Sequence, residues 1–158
     1  MIYIKKVSVL LFTVALVACS QQTDNEKEVS NKGEVITESI SYSIDGLALN
    51  NGEKWTTDKE TDRGFHEMLS LINSFSKVST VSVKEYQNFG LEMDVIKGEI
   101  LSQCTMTGLG HDHLHTLLVP LIRKINGIKE VTTLEKAEVI FDNIKSNVEL
   151  YDDFFTFD

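Results

Sequence analysis

Four stripes of apolar residues, spaced three and four apart as on one face of a helix, run through the chain from residue 65 to residue 151. The first is Phe65, Met68, Leu69, Ile72 and Phe75. The second is Tyr86, Phe89, Met93, Ile96 and Ile100, and the next helical step is Cys104. The third carries Leu114, Leu117, Leu118, Leu121, Ile122 and Ile125. The fourth runs Leu134, Ala137, Phe141, Ile144, Val148 and Tyr151. Three of the helices have a start signal of the capping-box form: Thr57 with Glu60, Ser82 with Glu85, and Thr132 with Glu135. In the third, Pro120 is expected to bend the helix by freeing the Thr116 carbonyl, and Gly127 to end it. Four amphipathic helices with short connections predict an all-α protein, an antiparallel four-helix bundle of up-down-up-down order over residues 51–158. About 100 residues suffice for one core.

Ahead of the bundle the pattern changes. Residues 20 to about 35 are polar and charged without apolar period, which predicts a disordered tether. Between Val35 and Leu49, partial alternation through Ile40, Tyr42 and Ile44 predicts a short extended segment, closed by a turn at Asn50-Asn51-Gly52. Trp55 stands just before the first helix and is expected to lie as a lid across one end of the bundle. The aromatic tail Phe154-Phe155-Thr156-Phe157 is expected to dock back on it.

The first residues bear on location. Lys5 and Lys6 precede a nearly unbroken apolar run, Val7 to Val17, too short to span a bilayer and shaped like a signal-peptide core. It ends in Leu16-Val17-Ala18-Cys19, which resembles the bacterial lipobox. That resemblance implies a signal peptide over 1–18, lipidation of Cys19, and a lipid-anchored tether with the extended segment over 19–50. Several acyl chains on one residue make a firm anchor. Ser20, where inner-membrane retention is associated with Asp, favours the outer membrane, with the domain facing the periplasm.

Charge narrows the partners. The chain has 15 basic and 24 acidic residues, net −9, and loss of Lys5 and Lys6 takes this to −11. Nucleic acid is excluded as a ligand on this balance, and contact with membrane should come through the lipid alone. With Cys19 lipidated, Cys104 is the one remaining thiol and has no internal partner for a disulfide.

Candidate chemistry gathers at one corner. Between residues 104 and 115 lie Cys104, Met106 and three of the chain's four histidines, His111, His113 and His115. Cys104 ends the second stripe. His111 and His115 open the inner face of the third helix, four residues apart, while His113 is turned about 200° from His111 and is expected to face solvent. Gly108 and Gly110 permit a tight turn. Thiol, thioether and imidazole together suit a soft metal: copper, with zinc as the alternative. The expected ligands are Cys104, Met106, His111 and His115, with Asp112 at most orienting a ligand and His66 a flank residue. Buried one at a time, the same residues would be ordinary core groups, Cys104 as a small hydrophobe and Met106 as packing.

The run Cys104-Thr-Met106-Thr-Gly108-x-x-His111-x-x-Leu114-His115-x-x-Leu118 resembles a motif of small bacterial lipoproteins of helical-bundle type. Leu49-Asn-Asn-Gly-Glu-Lys-Trp55 resembles part of the same pattern. The resemblance spans most of residues 47–125 and implies the bundle and the unity of the corner; it brings no activity with it.

Three other functions compete with metal binding. A b-type haem bundle would use Met68 or Met93 opposite a histidine; the absence of C-x-x-C-H excludes covalent attachment. An enzyme with Cys104 as nucleophile lacks an identifiable oxyanion donor, so the chain reads as non-catalytic. A structural or interaction lipoprotein would bind another envelope protein through an exposed face.

Overall fold

The computed structural model describes residues 43–157. The signal peptide, Cys19, the tether and the first part of the extended segment lie outside the described residues. Among those described are four long helices, α1 (Lys59–Phe75), α2 (Val83–Gln103), α3 (Gly108–Lys129) and α4 (Leu134–Glu149). A single turn, α5 (Tyr151–Phe154), follows. Strands β1 (Trp55–Thr56) and β2 (Phe155–Thr156) pair in parallel, with Trp55 opposite Phe155.

This is an all-α four-helix bundle. Contacts at its two ends give the direction of each helix. At one end the start of α1 meets the α2–α3 connection, since Asp58 receives the Thr105 N–H and hydroxyl. The end of α4 is there too, because Thr57 Oγ1 lies 2.9 Å from the Tyr151 hydroxyl. At the other end Gln87, near the start of α2, donates to the Val131 carbonyl between α3 and α4 at 2.9 Å. Successive helices therefore run in opposite directions.

The predicted stripes form the core. Phe65, Met68, Ile72, Phe89, Met93, Ile100, Leu117, Leu121, Ile125, Ile144 and Val148 are all at most 2% exposed. Two glycines bring helices together. A Cβ on Gly64 would fall 2.3 Å from Ile100 Cγ1, and one on Gly90 2.6 Å from Ile128 Cγ2 and 3.2 Å from the Lys129 nitrogen. Only a residue without a side chain fits these crossings.

Element ends differ from expectation in places. Ser82 caps α2 with the full reciprocal box, but α1 is capped by Asp58 and α4 by Thr133, each one residue later than predicted. Thr57 is instead buried, its hydroxyl on Tyr151 and its N–H on the Thr156 carbonyl. Helix α3, which contains Pro120, runs past Gly127, because fully buried Ile128 extends its apolar face. Leu134, read as part of a stripe, is 41% exposed, while Asn147 is fully buried and donates to the Leu117 carbonyl at 3.0 Å.

The segment before α1 belongs to the bundle rather than to the tether. Ile44 and Leu47 pack against the core. The turn at Asn50-Asn51-Gly52 is present, with positive φ at Asn51 (53°) and Gly52 (94°) and reciprocal bonds between Asn50 and Glu53. The tail docks as expected, and its target is β1: Phe155 is 2% exposed and stacks on Tyr151 at 5.4 Å.

Candidate functional site

The α2–α3 connection is only four residues long, and little within it dictates its shape. Gly108 takes a left-handed φ of 70°, and Thr107 gives α3 no side-chain cap. The corner is held from outside instead. The Asp58 carboxylate caps α1 through the Thr61 N–H at 2.8 Å and also receives the Thr105 N–H and hydroxyl. Burial by itself would raise the pKa of this carboxyl; the bonds from Thr105 and Thr61 more than offset that and hold it at about 2. Asp58 thus clamps the residue next to Cys104 to the start of α1.

On the inner side of this corner lies a cavity of about 360 Å³ lined by Ile100, Leu101, Cys104, His111, Leu114, His115 and Leu118. Cys104, in extended conformation at the end of α2, is a half-buried free thiol. His111 and His115 meet edge to face with ring centroids 4.4 Å apart, and their Nε2 atoms are 3.1 Å apart. In the absence of another partner one nitrogen donates to the other. Three of the four predicted ligands therefore share one cavity. His115 is exposed and His111 half-buried, so the pair sits at the rim and not deep inside.

The remaining corner residues are elsewhere. Met106 does not line this cavity; its methyl lies with Trp55 around Gly110, where an added Cβ would be 3.7 Å from Met106 Cε and 3.4 Å from Trp55 Cε3. Asp112 is exposed. His113, expected in solvent, stacks on Trp55 with centroids 4.8 Å apart and planes 21° apart. Its Nδ1 is buried without a hydrogen-bond partner. The reason is β1, which carries Trp55 across the outer side of α3; the indole Nε1–H donates to the Ala48 carbonyl at 2.7 Å. Trp55, expected across one end of the bundle, thus lies over the outer side of α3, and the residue it covers is His113. His66 is a flank residue as predicted, exposed between Asp62 and Asp152 at 3.3 and 3.4 Å. Met68 and Met93 are sealed in the core at 0% exposure.

Two further residues hold this end together without an obvious sequence signal. Asp58 was overshadowed by the neighbouring Thr57 box. Tyr151 shares its hydroxyl between Thr57 and Asp62, the latter at 3.2 Å. Burial first, then Asp62, raises its pKa well above the usual phenol value, so it stays a neutral donor.

Among the described residues no group of three His, Cys, Asp or Glu side chains is gathered closely enough to hold a metal ion, and no helix is long and apolar enough to cross a membrane. No family model, curated protein or solved structure matches the chain.

The histidine pair can be tested against metal geometry. An ion bonded to both Nε2 atoms at about 2.0–2.1 Å, with 3.1 Å between them, would subtend an N–metal–N angle of about 100°. That is close to tetrahedral and far from linear.

Proposed function

We propose that the protein is a lipid-anchored protein of the cell envelope that binds a soft metal ion, copper or zinc, at the α2–α3 corner. The observation that carries the reading is the 3.1 Å approach of His111 Nε2 to His115 Nε2 beside the Cys104 thiol in one cavity. The two imidazoles supply a bent pair of nitrogen donors. Rotation of the Cys104 side chain would add a thiolate as third donor, and the open face of the cavity leaves a fourth position for water or a small ligand. Met106 is not used in this arrangement. The apolar residues Ile100, Leu101, Leu114 and Leu118 back the site and strengthen charge–ligand interactions within it. The lipobox-like Leu16-Val17-Ala18-Cys19 supports the anchor, and outer-membrane placement follows from Ser20.

The test is anaerobic Cu(I) and Zn(II) titration with elemental analysis on the full-length protein in a non-ionic detergent. One tight equivalent is expected. It should be lost in His111→Ala and His115→Ala, and weakened about 10- to 100-fold in Cys104→Ala. Binding should also fall on acidification, since protons compete for the same ring nitrogens. Absent binding, or binding indifferent to all three substitutions, would make the corner purely structural and favour an interaction lipoprotein.

A further inference from the structure

The opposite end of the bundle holds a second feature, unrelated to the histidine corner. A cavity of about 350 Å³ opens between the end of α1 and the starts of α2 and α4, lined by Phe75, Val78, Val81, Tyr86 and Phe141 together with Glu138, Asp142 and Lys145. Its aromatic wall is continuous: Phe75 lies 5.1 Å from Tyr86 and 5.2 Å from Phe141, and Tyr86 lies 5.8 Å from Phe141, centroid to centroid.

We propose that this cavity binds an organic cation, an ammonium group carried on a small apolar body.

Three observations carry it. First, three aromatic rings line the cavity side by side, and aromatic rings attract a poorly hydrated cation. Second, Glu138 and Asp142 stand one helical turn apart on α4 at its mouth, and neither takes an ion-pair partner among the described residues. The nearby Lys145 is drawn toward Glu149, 4.0 Å away. Third, Tyr86 is only 7% exposed yet its hydroxyl has no hydrogen-bond partner among the described residues, in a cavity it lines itself. The ring is buried while its hydroxyl stays accessible, a polar atom free to meet a ligand that enters the cavity. Its pKa is raised by burial and then by the charges of Glu138 and Asp142, so the two carboxylates act on the same space as the ring.

An adjoining cavity of about 260 Å³ shares Phe75 and Val78 and adds Leu71, Phe89, Glu85 and Glu92. The apolar body of the ligand would extend into it. Acid on both rims and apolar surface between them select a cation over an anion of the same shape.

The probe is benzyltrimethylammonium, followed by calorimetry and by shifts of the Tyr86 and Phe141 ring resonances in the full-length protein in a non-ionic detergent. Benzyl alcohol and phenylacetate serve as neutral and anionic controls. Saturable binding of the cation is expected, with both controls at least about tenfold weaker. Glu138→Gln with Asp142→Asn should weaken the cation about tenfold; these exposed positions leave the fold intact, as an unchanged melting midpoint would verify. No saturation up to about 10 mM, equal binding of benzyl alcohol, or cation binding unchanged in the double variant would each overturn the proposal.

Discussion

Asp58 joins the start of α1 to the α2–α3 corner, and removing its charge separates its two roles. Asparagine is as good an N-cap as aspartate, so Asp58→Asn keeps the bond to the Thr61 N–H and weakens what depends on charge. Alanine removes both. The folded carboxyl titrates at about 2 against a model value of 3.8, a difference worth at most about 2.5 kcal/mol. Asp58 stands at a rim washed by solvent, so screening brings the expected loss to about 1–2 kcal/mol at neutral pH. Alanine should cost about 1 kcal/mol more.

The sign of the pH dependence follows from the direction of the shift. A carboxyl with a depressed folded pKa contributes its stability above the unfolded value and loses it as pH falls through the folded one. The gap between wild type and Asp58→Asn should therefore be constant from pH 7 to about pH 5, narrow below pH 4, and vanish near pH 2. Urea unfolding followed by far-ultraviolet circular dichroism at a series of pH values reads this directly. A gap that persists undiminished at pH 2, or an Asp58→Asn protein as stable as wild type at pH 7, would refute the charged clamp.

Gly90→Ala should lower the melting midpoint by about 5–10 °C, since the new methyl meets the Lys129 backbone as well as Ile128. Gly98→Ala on the same helix, where a Cβ meets nothing within 4 Å, should gain about 0.5–1 kcal/mol and serves as the control. Tyr151→Phe should cost about 1 kcal/mol in chemical denaturation, because it strips buried Thr57 of its hydroxyl partner. His113→Ala should shift the emission of Trp55, the single tryptophan of the chain, to longer wavelength as water reaches the uncovered indole.

Most of the core was legible because a helix in a bundle needs one apolar face, and that face repeats with a fixed period. Phe65 through Ile72, Tyr86 through Ile100, and Leu114 through Ile125 all follow from it. The same reasoning set Cys104, His111 and His115 toward a common space, since each prolongs a stripe by whole turns. It failed for His113, because angular position on α3 says where the core lies but not that β1 will cross the other side. The two-residue strands are too short to show alternation, and they pair residues 100 positions apart in sequence. Met106 failed for another reason: in a four-residue turn that runs into a left-handed glycine, side-chain direction depends on backbone angles the sequence does not state. Asn147 did carry a signal. It lies three residues after Ile144 and beside Val148, on the inward face, and its polarity concealed that position. One-residue slips at Thr57 and Thr132 arose where the next residue, Asp58 or Thr133, offered a competing cap oxygen.

The α2–α3 corner is poor in local devices and rich in distant ones. Thr107 does not cap α3, and Gly108 would be free to move if unrestrained. Yet Asp58 grips Thr105 from α1, Trp55 covers His113 from β1, and β1 is itself tied to the tail by β2. Ordering a turn in this way costs conformational entropy during folding, and a shorter apolar turn would hold the helices at less cost. What the clamps achieve is a fixed azimuth for the first turns of α3, and with it a fixed spacing between His111 and His115. Donors held at the right separation before an ion arrives lose little freedom when it binds, which raises affinity without adding a contact. If the corner serves a metal, loosening the clamp should therefore weaken binding from a distance. Asp58→Asn, whose side chain lies outside the cavity, should lower Cu(I) affinity by about three- to tenfold at a pH where the fold is intact. Unchanged affinity would mean that the clamp stabilises the bundle and nothing more.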